Sequence, residues 1–166
     1  MTVISHDSET PAQGQQVLTA CAFLHHKFDG VEKVFMAKRA ATKKFMPSIF
    51  ELPGGHIDFD EDMVVGLKRE VDEEHGMKCT VGDPFYVFTY TNHVKGSQSI
   101  EVIYFAEFTE PLENIKINPE DHSEYGWFAA DELEKAVTPG KGLDDEEFVA
   151  IKKGFELLDG QSPDFA

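Results

Sequence analysis

Three glutamates near the middle of the chain have the spacing of a metal site. Glu70, Glu73 and Glu74 fall at i, i+3 and i+4, so a helix would place them on one face. Carboxylates at this spacing repel one another, and a bound divalent cation would offset that repulsion. Mg²⁺ prefers oxygen ligands and usually shares its coordination sphere with water and substrate phosphates. The spacing therefore predicts a divalent-metal site that acts on a phosphorylated substrate, with a solvated acidic helix face as the alternative.

The residues on either side of these glutamates fit a rigid site at the edge of a buried helix face. Glycines in the segment 53–55 permit positive φ and let the backbone approach a metal or a phosphate. Arg69 is placed to hold a neighbouring carboxylate in one orientation through a forked hydrogen bond. In a continuous helix Glu61 would lie about 180° from Glu70, so it either caps the helix or reaches the site through a non-helical loop. The apolar stripe beside the acids consists of Val64, Leu67 and Val71.

The helix is predicted to begin at an aspartate cap and to end at a glycine. Asp58 or Asp60 is expected to cap the N-terminus. That start places Glu61 and Asp62 in the first turn, where acids complement the helix dipole. Gly76 is expected to end the helix, because glycine adopts the left-handed conformation of a C-terminal cap.

Apolar segments on both sides of this helix predict strands, and their interleaving with helices predicts a single α/β domain. The first two strands are expected to form a hairpin around Asp29-Gly30. Asp131 is expected to cap a short helix ending at Val137, and a last helix is expected over 144–158 with Phe148, Ile151, Phe155 and Leu158 as its apolar stripe. The predicted strands are 17–28, 31–39, 48–52, 78–90, 99–109 and 124–129. The predicted boundaries are a flexible leader at 1–16, the domain at 17–159 and a frayed tail at 160–166.

The composition narrows the class of partner. The 166 residues include 15 Lys+Arg and 31 Asp+Glu, giving a net charge of −16. Such an excess of acid argues against long nucleic acid and against an anionic membrane surface, both of which need basic residues. The N-terminal residues carry no apolar signal region, and Cys21 and Cys79 are too few for a disulfide framework. We therefore expect buried thiols, a cytoplasmic location and a small substrate.

The segment GHIDFDEDMVVGLKREVDEEHGM resembles the Nudix box, GX5EX7REUXEEXGU, where U is apolar. Membership of that family implies an α/β/α sandwich around a mixed β-sheet. It also implies cleavage of a nucleoside diphosphate linked to another group, by water attack on phosphorus with Mg²⁺ or Mn²⁺. ELPGGHI before the box, and EYGWF followed by DEL after it, resemble further family segments. The match covers every specified position: Gly55, Glu61, Arg69, Glu70, Val71, Glu73, Glu74, Gly76 and Met77.

The resemblance also implies roles for individual residues. Metal ligands would be the three helix glutamates and the Gly54 carbonyl. Glu70 or a neighbouring glutamate would activate the water, and Arg69 would orient the glutamates. Gly55, Glu61 and Gly76 would be structural. We expect distal phosphates to meet Arg39, Lys43 and Lys44, and the candidates for an accessory acid are Glu120, Asp121 and Glu124.

The substrate is the least determined part of the prediction. Pro84 and Pro111 do not have the spacing of the ADP-ribose subfamily, and Tyr90 comes too early for the dinucleoside polyphosphate subfamily. By elimination the sequence favours a MutT-like nucleoside triphosphate pyrophosphohydrolase. The alternatives are an ADP-ribose or nucleotide-sugar pyrophosphatase and a non-catalytic nucleotide-binding module. Phe45, Phe50, Tyr90 and Trp127 are predicted to serve packing more than base stacking, and a homodimer is left open.

Overall fold

The computed structural model describes residues 9–160, and the predicted leader and tail lie partly outside that range. Within the leader, the Ala12 amide donates to the Lys95 carbonyl, while the domain boundaries themselves stay a prediction. The strands are β1 (Gln16–Phe28), β2 (Val31–Arg39), β3 (Phe50–Glu51), β4 (Gly54–His56), β5 (Cys79–Asn92), β6 (Ser97–Phe108) and β7 (His122–Ala129). The α-helices are α1 (Met63–His75) and α2 (Glu146–Leu158), and two 3₁₀ helices cover Leu112–Asn114 and Ala130–Ala136.

Strand β1 is the central strand of a mixed sheet. It pairs in parallel with β6 from Gln16 to Leu24, and it pairs antiparallel with β4 around Ala20. Its last residues form the predicted hairpin with β2, and the turn at Asp29 and Gly30 has positive φ at both positions. The path through the sheet is β3-β2-β1-β6-β5, with β4 added to β1 and β7 added to β2.

The two α-helices pack against separate apolar clusters of the sheet. Alternate residues of a strand point to opposite faces, and β1 shows this directly. Phe23 belongs to a cluster with Phe148 and Ile151 of α2. Leu24 belongs to a cluster with Leu67 and Val71 of α1. This helix–sheet–helix arrangement confirms the predicted α/β fold.

Helix α1 begins later than the sequence suggested. The cap is Asp62, whose carboxylate accepts hydrogen bonds from the amides of Val64 and Val65, both at 3.0 Å. The prediction of Asp58 or Asp60 was wrong, because Asp60 takes a left-handed turn conformation with φ of 65°. Glu61 therefore precedes the helix and reaches the site from a loop. Gly76 ends the helix as predicted, with φ of 64°.

Smaller corrections concern the last third of the chain. The second 3₁₀ helix is preceded by Ala129, so Asp131 does not cap it. Helix α2 begins after Asp145, whose side chain accepts from the Glu147 amide. Its predicted stripe is buried at Phe148 and Ile151, whereas Leu158 at its end is 39% exposed. Among the described residues no helix has both the length and the apolar character needed to cross a membrane.

Candidate metal-binding active site

A cavity of about 240 Å³ gathers most of the predicted site residues. Helix α1 contributes the three glutamates, and β3 and β4 contribute Glu51 and the two glycines. Glu70 and Glu74 are each 8% exposed, whereas the Glu73 side chain is 58% exposed. The acid stripe thus lies at the edge of the buried helix face, as the periodicity predicted.

Arg69 holds the acids of the box together. Its Nε and Nη2 each donate to the Glu61 carboxylate at 2.9 Å, which is the forked pairing that suits guanidinium. Its Nη1 lies 2.8 Å from Glu70 Oε1 and 3.3 Å from Glu73 Oε2. Nη2 also donates to the His56 carbonyl at 3.1 Å. The Glu61 hydrogen bond is the main cause that raises the pKa of Arg69 above its already high value; burial opposes this, and Glu70 adds to it.

Two glycines let the loop lie against the helix glutamates. Gly54 has φ of 149°, and a Cβ there would lie 2.1 Å from the Ala20 carbonyl oxygen. A Cβ on Gly55 would lie 2.5 Å from Glu70 Oε2. The Gly54 amide donates to Glu74 Oε1 at 3.2 Å. A larger residue at Gly54 would clash with β1, and a larger residue at Gly55 would clash with the Glu70 carboxylate.

His122, at the start of β7, lies between the half-buried Glu51 and the buried Glu74. Its Nε2 lies 2.9 Å from Glu51 Oε1 and 3.4 Å from Glu74 Oε2. Burial would raise the pKa of Glu51, but the Arg39 guanidinium and the His122 imidazole lower it to about 2. Burial and the charges of Glu51 and Glu70 raise the pKa of Glu74 well above its ordinary value. The charged form of Glu74 is therefore disfavoured at this position.

This donor set fits a divalent cation. Glu70, Glu73 and Glu74 all line one cavity, and carboxylate oxygens suit Mg²⁺ or Mn²⁺. The buried carboxylate of Glu74, whose charged form is disfavoured by its neighbours, would be stabilised by such an ion. Gly54 lines the same cavity, and the role of its carbonyl as a ligand stays a prediction.

The predicted substrate and accessory residues divide into two groups. Arg39, Lys43 and Asp121 line the cavity, and Lys43 Nζ lies 2.9 Å from Asp121 Oδ1. Arg39 donates to the Phe45 carbonyl at 3.0 Å, which fixes it beside the cavity. The remaining candidates are not among its lining residues: Lys44, Glu120 and Glu124, the last of which pairs with Lys38.

Sequence reasoning missed several acids that line the cavity. Glu51, Glu101 and Glu147 come from β3, β6 and α2, and only the fold brings them together. The sequence held one indication of Glu101. Ser99, Glu101 and Ile103 occupy alternate positions of β6 and therefore lie on the same, buried face. An acid at a core-facing strand position is a candidate functional residue.

A protein-family model matches most of this chain. A family model described as the NUDIX domain matches residues 18–150. The uncharacterized Nudix hydrolase YfcD of Salmonella typhi is 29% identical over 90 residues, covering 50% of this chain and 47% of that protein. The chain thus spans about half the length, or less, of the first curated relatives it matches.

Two further similarities extend over most of the chain. The RNA pyrophosphohydrolase of Caulobacter vibrioides (strain NA1000 / CB15N) is 26% identical over 178 residues, covering 98% of this chain and 95% of that protein. A crystal structure of a C. elegans Ap4A hydrolase binary complex has a TM-score of 0.70 at 20% identity, covering 87% of this chain and 99% of that one. The structural likeness at this identity shows the fold alone.

Proposed function

Because the chain belongs to the Nudix family, we propose that it hydrolyses a phosphoanhydride bond of a nucleoside diphosphate-linked substrate with Mg²⁺ or Mn²⁺. The preferred substrate in this proposal is a nucleoside triphosphate, cleaved to nucleoside monophosphate and pyrophosphate. One observation carries it: the glutamates of α1 converge on a cavity that also presents Arg39 and Lys43. Acidic side chains suited to a cation and basic side chains suited to phosphate therefore line the same cavity.

Each residue has a distinct part in this proposal. Glu70, Glu73 and Glu74 would hold the ion, which when bound neutralises phosphate charge and lowers the pKa of coordinated water. Arg69 fixes the orientation of Glu70 and Glu73 through the contacts above. Arg39 and Lys43 would contact the distal phosphates. An acidic protein accepts a polyanion in this way because the repulsive carboxylates are covered by cations.

A second candidate is a 5′-triphosphorylated RNA end. The RNA pyrophosphohydrolase from Caulobacter vibrioides is similar over nearly the whole chain. The net charge of −16 opposes binding of a long RNA backbone. We therefore keep the free nucleotide as the first candidate. We also propose a cytoplasmic location, which the two buried, free cysteines support.

The test is a substrate screen with product identification. Purified protein is incubated with Mg²⁺ or Mn²⁺ and nucleoside triphosphates, ADP-ribose, nucleotide sugars, dinucleoside polyphosphates or a triphosphorylated RNA oligonucleotide. We expect triphosphates to be the best substrates, with nucleoside monophosphate and pyrophosphate as products. Preference for ADP-ribose or a nucleotide sugar would replace the first candidate with the pyrophosphatase alternative. Nucleotide binding without any turnover would indicate the non-catalytic module.

A further inference from the structure

Two buried histidines lie beside Glu74 at the cavity that the α1 glutamates line. His75 is the last residue of α1, and His122 is the first residue of β7. Their exposed fractions are 0% and 2%, and their ring centroids lie 5.3 Å apart. Glu74 and His122 line the cavity, so an ion that enters it can reach both side chains. We call Glu74, His75 and His122 the histidine cluster.

The ring nitrogens of the histidine cluster are short of hydrogen-bond partners. Among the described residues, neither nitrogen of His75 has such a partner, and Nδ1 of His122 also lacks one. The Lys116 main chain comes near the His75 ring without forming a well-aligned hydrogen bond. Phe35 packs edge-on against the same ring, with centroids 5.0 Å apart. Buried polar atoms are nearly always paired, so these imidazoles call for a partner of another kind.

The donor atoms of the histidine cluster are close enough to share one ion. Glu74 Oε2 lies 3.4 Å from His122 Nε2 and 3.9 Å from His75 Nε2. One donor atom from each of the three residues lies within 4.8 Å of the other two. Donors that bind a tetrahedral zinc ion at about 2.0–2.1 Å are about 3.3–3.4 Å apart. Small side-chain movements would therefore bring all three donors onto one ion.

The chemistry of these donors differs from that of the α1 carboxylates. Two imidazoles and one carboxylate are a ligand set that suits Zn²⁺, whereas Mg²⁺ prefers oxygen ligands alone. Three protein ligands leave a fourth position of a tetrahedral ion for water or a phosphate oxygen. Because Glu74 and His122 line the cavity, that fourth position is accessible from it.

Binding at His122 requires an exchange with a neighbouring acid. His122 Nε2 lies 2.9 Å from Glu51 Oε1, so one proton is shared between these two atoms. A metal that binds Nε2 would take the place of that proton, as metal binding to imidazole generally does. Glu51 would keep the Arg39 guanidinium, which lies 3.4 Å from the same oxygen. The exchange therefore does not leave Glu51 without a positive neighbour.

We propose that the histidine cluster is a second metal site, selective for Zn²⁺ over Mg²⁺, and that it shares Glu74 with the Mg²⁺ site. Zn²⁺ and Mg²⁺ then compete for the Glu74 carboxylate, and Zn²⁺ inhibits Mg²⁺-dependent hydrolysis. The zinc site itself is independent of the reaction. The inhibitory effect rests on the proposed function.

The first test uses Co²⁺ as a coloured substitute for Zn²⁺. Four-coordinate Co²⁺ with imidazole ligands absorbs strongly in the visible range, whereas six-coordinate Co²⁺ with oxygen ligands absorbs weakly, so the spectrum reports the geometry. The full-length protein should develop strong bands that saturate as a single site. Zn²⁺ should remove these bands, and excess Mg²⁺ should weaken them. Weak absorption throughout the Co²⁺ titration would overturn the proposal.

The second test removes one ligand at a time. His75→Phe keeps a ring against Phe35 but removes the donor, and His122→Asn removes the other imidazole. Each should abolish the bands and lower the Zn²⁺ affinity of the tightest site by about 100-fold or more, since replacing residues that merely orient ligands already costs about 10- to 100-fold. Zn²⁺ affinity is measured by competition with a chromophoric chelator, and melting temperatures verify folding. Wild-type Zn²⁺ affinity in a folded variant of either kind would overturn the proposal.

Two control variants separate this site from other metal-binding groups. His26→Phe removes an exposed histidine of β1, and Glu73→Gln removes a carboxylate of the Mg²⁺ site while leaving the histidine cluster intact. Both should keep the Co²⁺ bands. Loss of the bands in Glu73→Gln would assign them to the α1 carboxylates and overturn the proposal.

The inhibitory effect is measured with the best substrate from the screen. Zn²⁺ should inhibit Mg²⁺-dependent hydrolysis by the wild type, and His75→Phe should need about 100-fold more Zn²⁺ for the same inhibition. Equal inhibition of the two proteins would overturn the shared role of Glu74. Strong Co²⁺ bands in a protein that hydrolyses nothing would contradict the proposed function and leave the zinc site standing, whereas hydrolysis without such bands would do the reverse.

Discussion

Arg69 is the residue on which the order of the box most depends. Its guanidinium contacts the carboxylates of Glu61, Glu70 and Glu73 and the His56 carbonyl at the same time. Lysine keeps the charge but not the planar fork, so Arg69→Lys cannot make these contacts together. We expect about a 10- to 100-fold lower rate and a higher Mg²⁺ requirement, as for other residues that orient metal ligands. Lys68→Met, at an exposed position of α1, should match the wild type in a metal titration.

Replacing Glu73 distinguishes a metal-binding role from a structural one, because a side chain that is 58% exposed contributes little to packing. Glu73→Gln removes the charge and leaves the size, so the fold should be intact while the rate falls by about 10²-fold or more. The matched control is Asp72→Asn, one residue earlier on α1 and paired with Lys78. Rates and melting temperatures of the two variants give the answer. Activity near that of the wild type in Glu73→Gln would rule out the assignment of Glu73 as a ligand.

At the scale of elements, Lys141 ties α2 to β3 through Glu147 and the Phe50 carbonyl. Both side chains are buried, so removing one partner leaves an uncompensated charge. Lys141→Met should lower the free energy of unfolding by about 3–5 kcal/mol, measured by urea denaturation. Lys141→Met combined with Glu147→Leu should recover most of that loss, because neither member of the pair is then left as an unpaired buried charge. A double variant as unstable as the single one would contradict this account.

The elements also show what local sequence could and could not predict. Periodicity placed Leu67 and Val71 in the core and Glu70 at its edge, because a helix repeats every 3.6 residues. The predicted start of α1 was wrong, because the residue that caps the helix is Asp62 and not Asp58 or Asp60. The contact between Phe45 and Tyr90 could not be predicted, since only long-range packing brings these two rings together.

For the whole molecule, the net charge of −16 is the dominant electrostatic property. Like charges on a compact chain repel each other, and salt screens that repulsion over a Debye length of about 10 Å at 0.1 M. Raising NaCl from about 20 to about 300 mM in EDTA should therefore increase the melting temperature. EDTA keeps divalent ions from contributing, and choline chloride should act like NaCl if screening is the cause. A melting temperature that is constant or falls would contradict the role of self-repulsion.

We propose that the acids of α1 form a metal site for phosphoanhydride hydrolysis. The most direct measurement is a metal add-back titration: the protein is stripped with EDTA, and its hydrolysis of the best substrate from the screen is followed as Mg²⁺ is restored. If these acids bind the ion, the stripped protein should be inactive, activity should return and saturate with Mg²⁺, and Glu73→Gln should regain little activity at the same concentrations. Hydrolysis at the full rate in the stripped protein would contradict it.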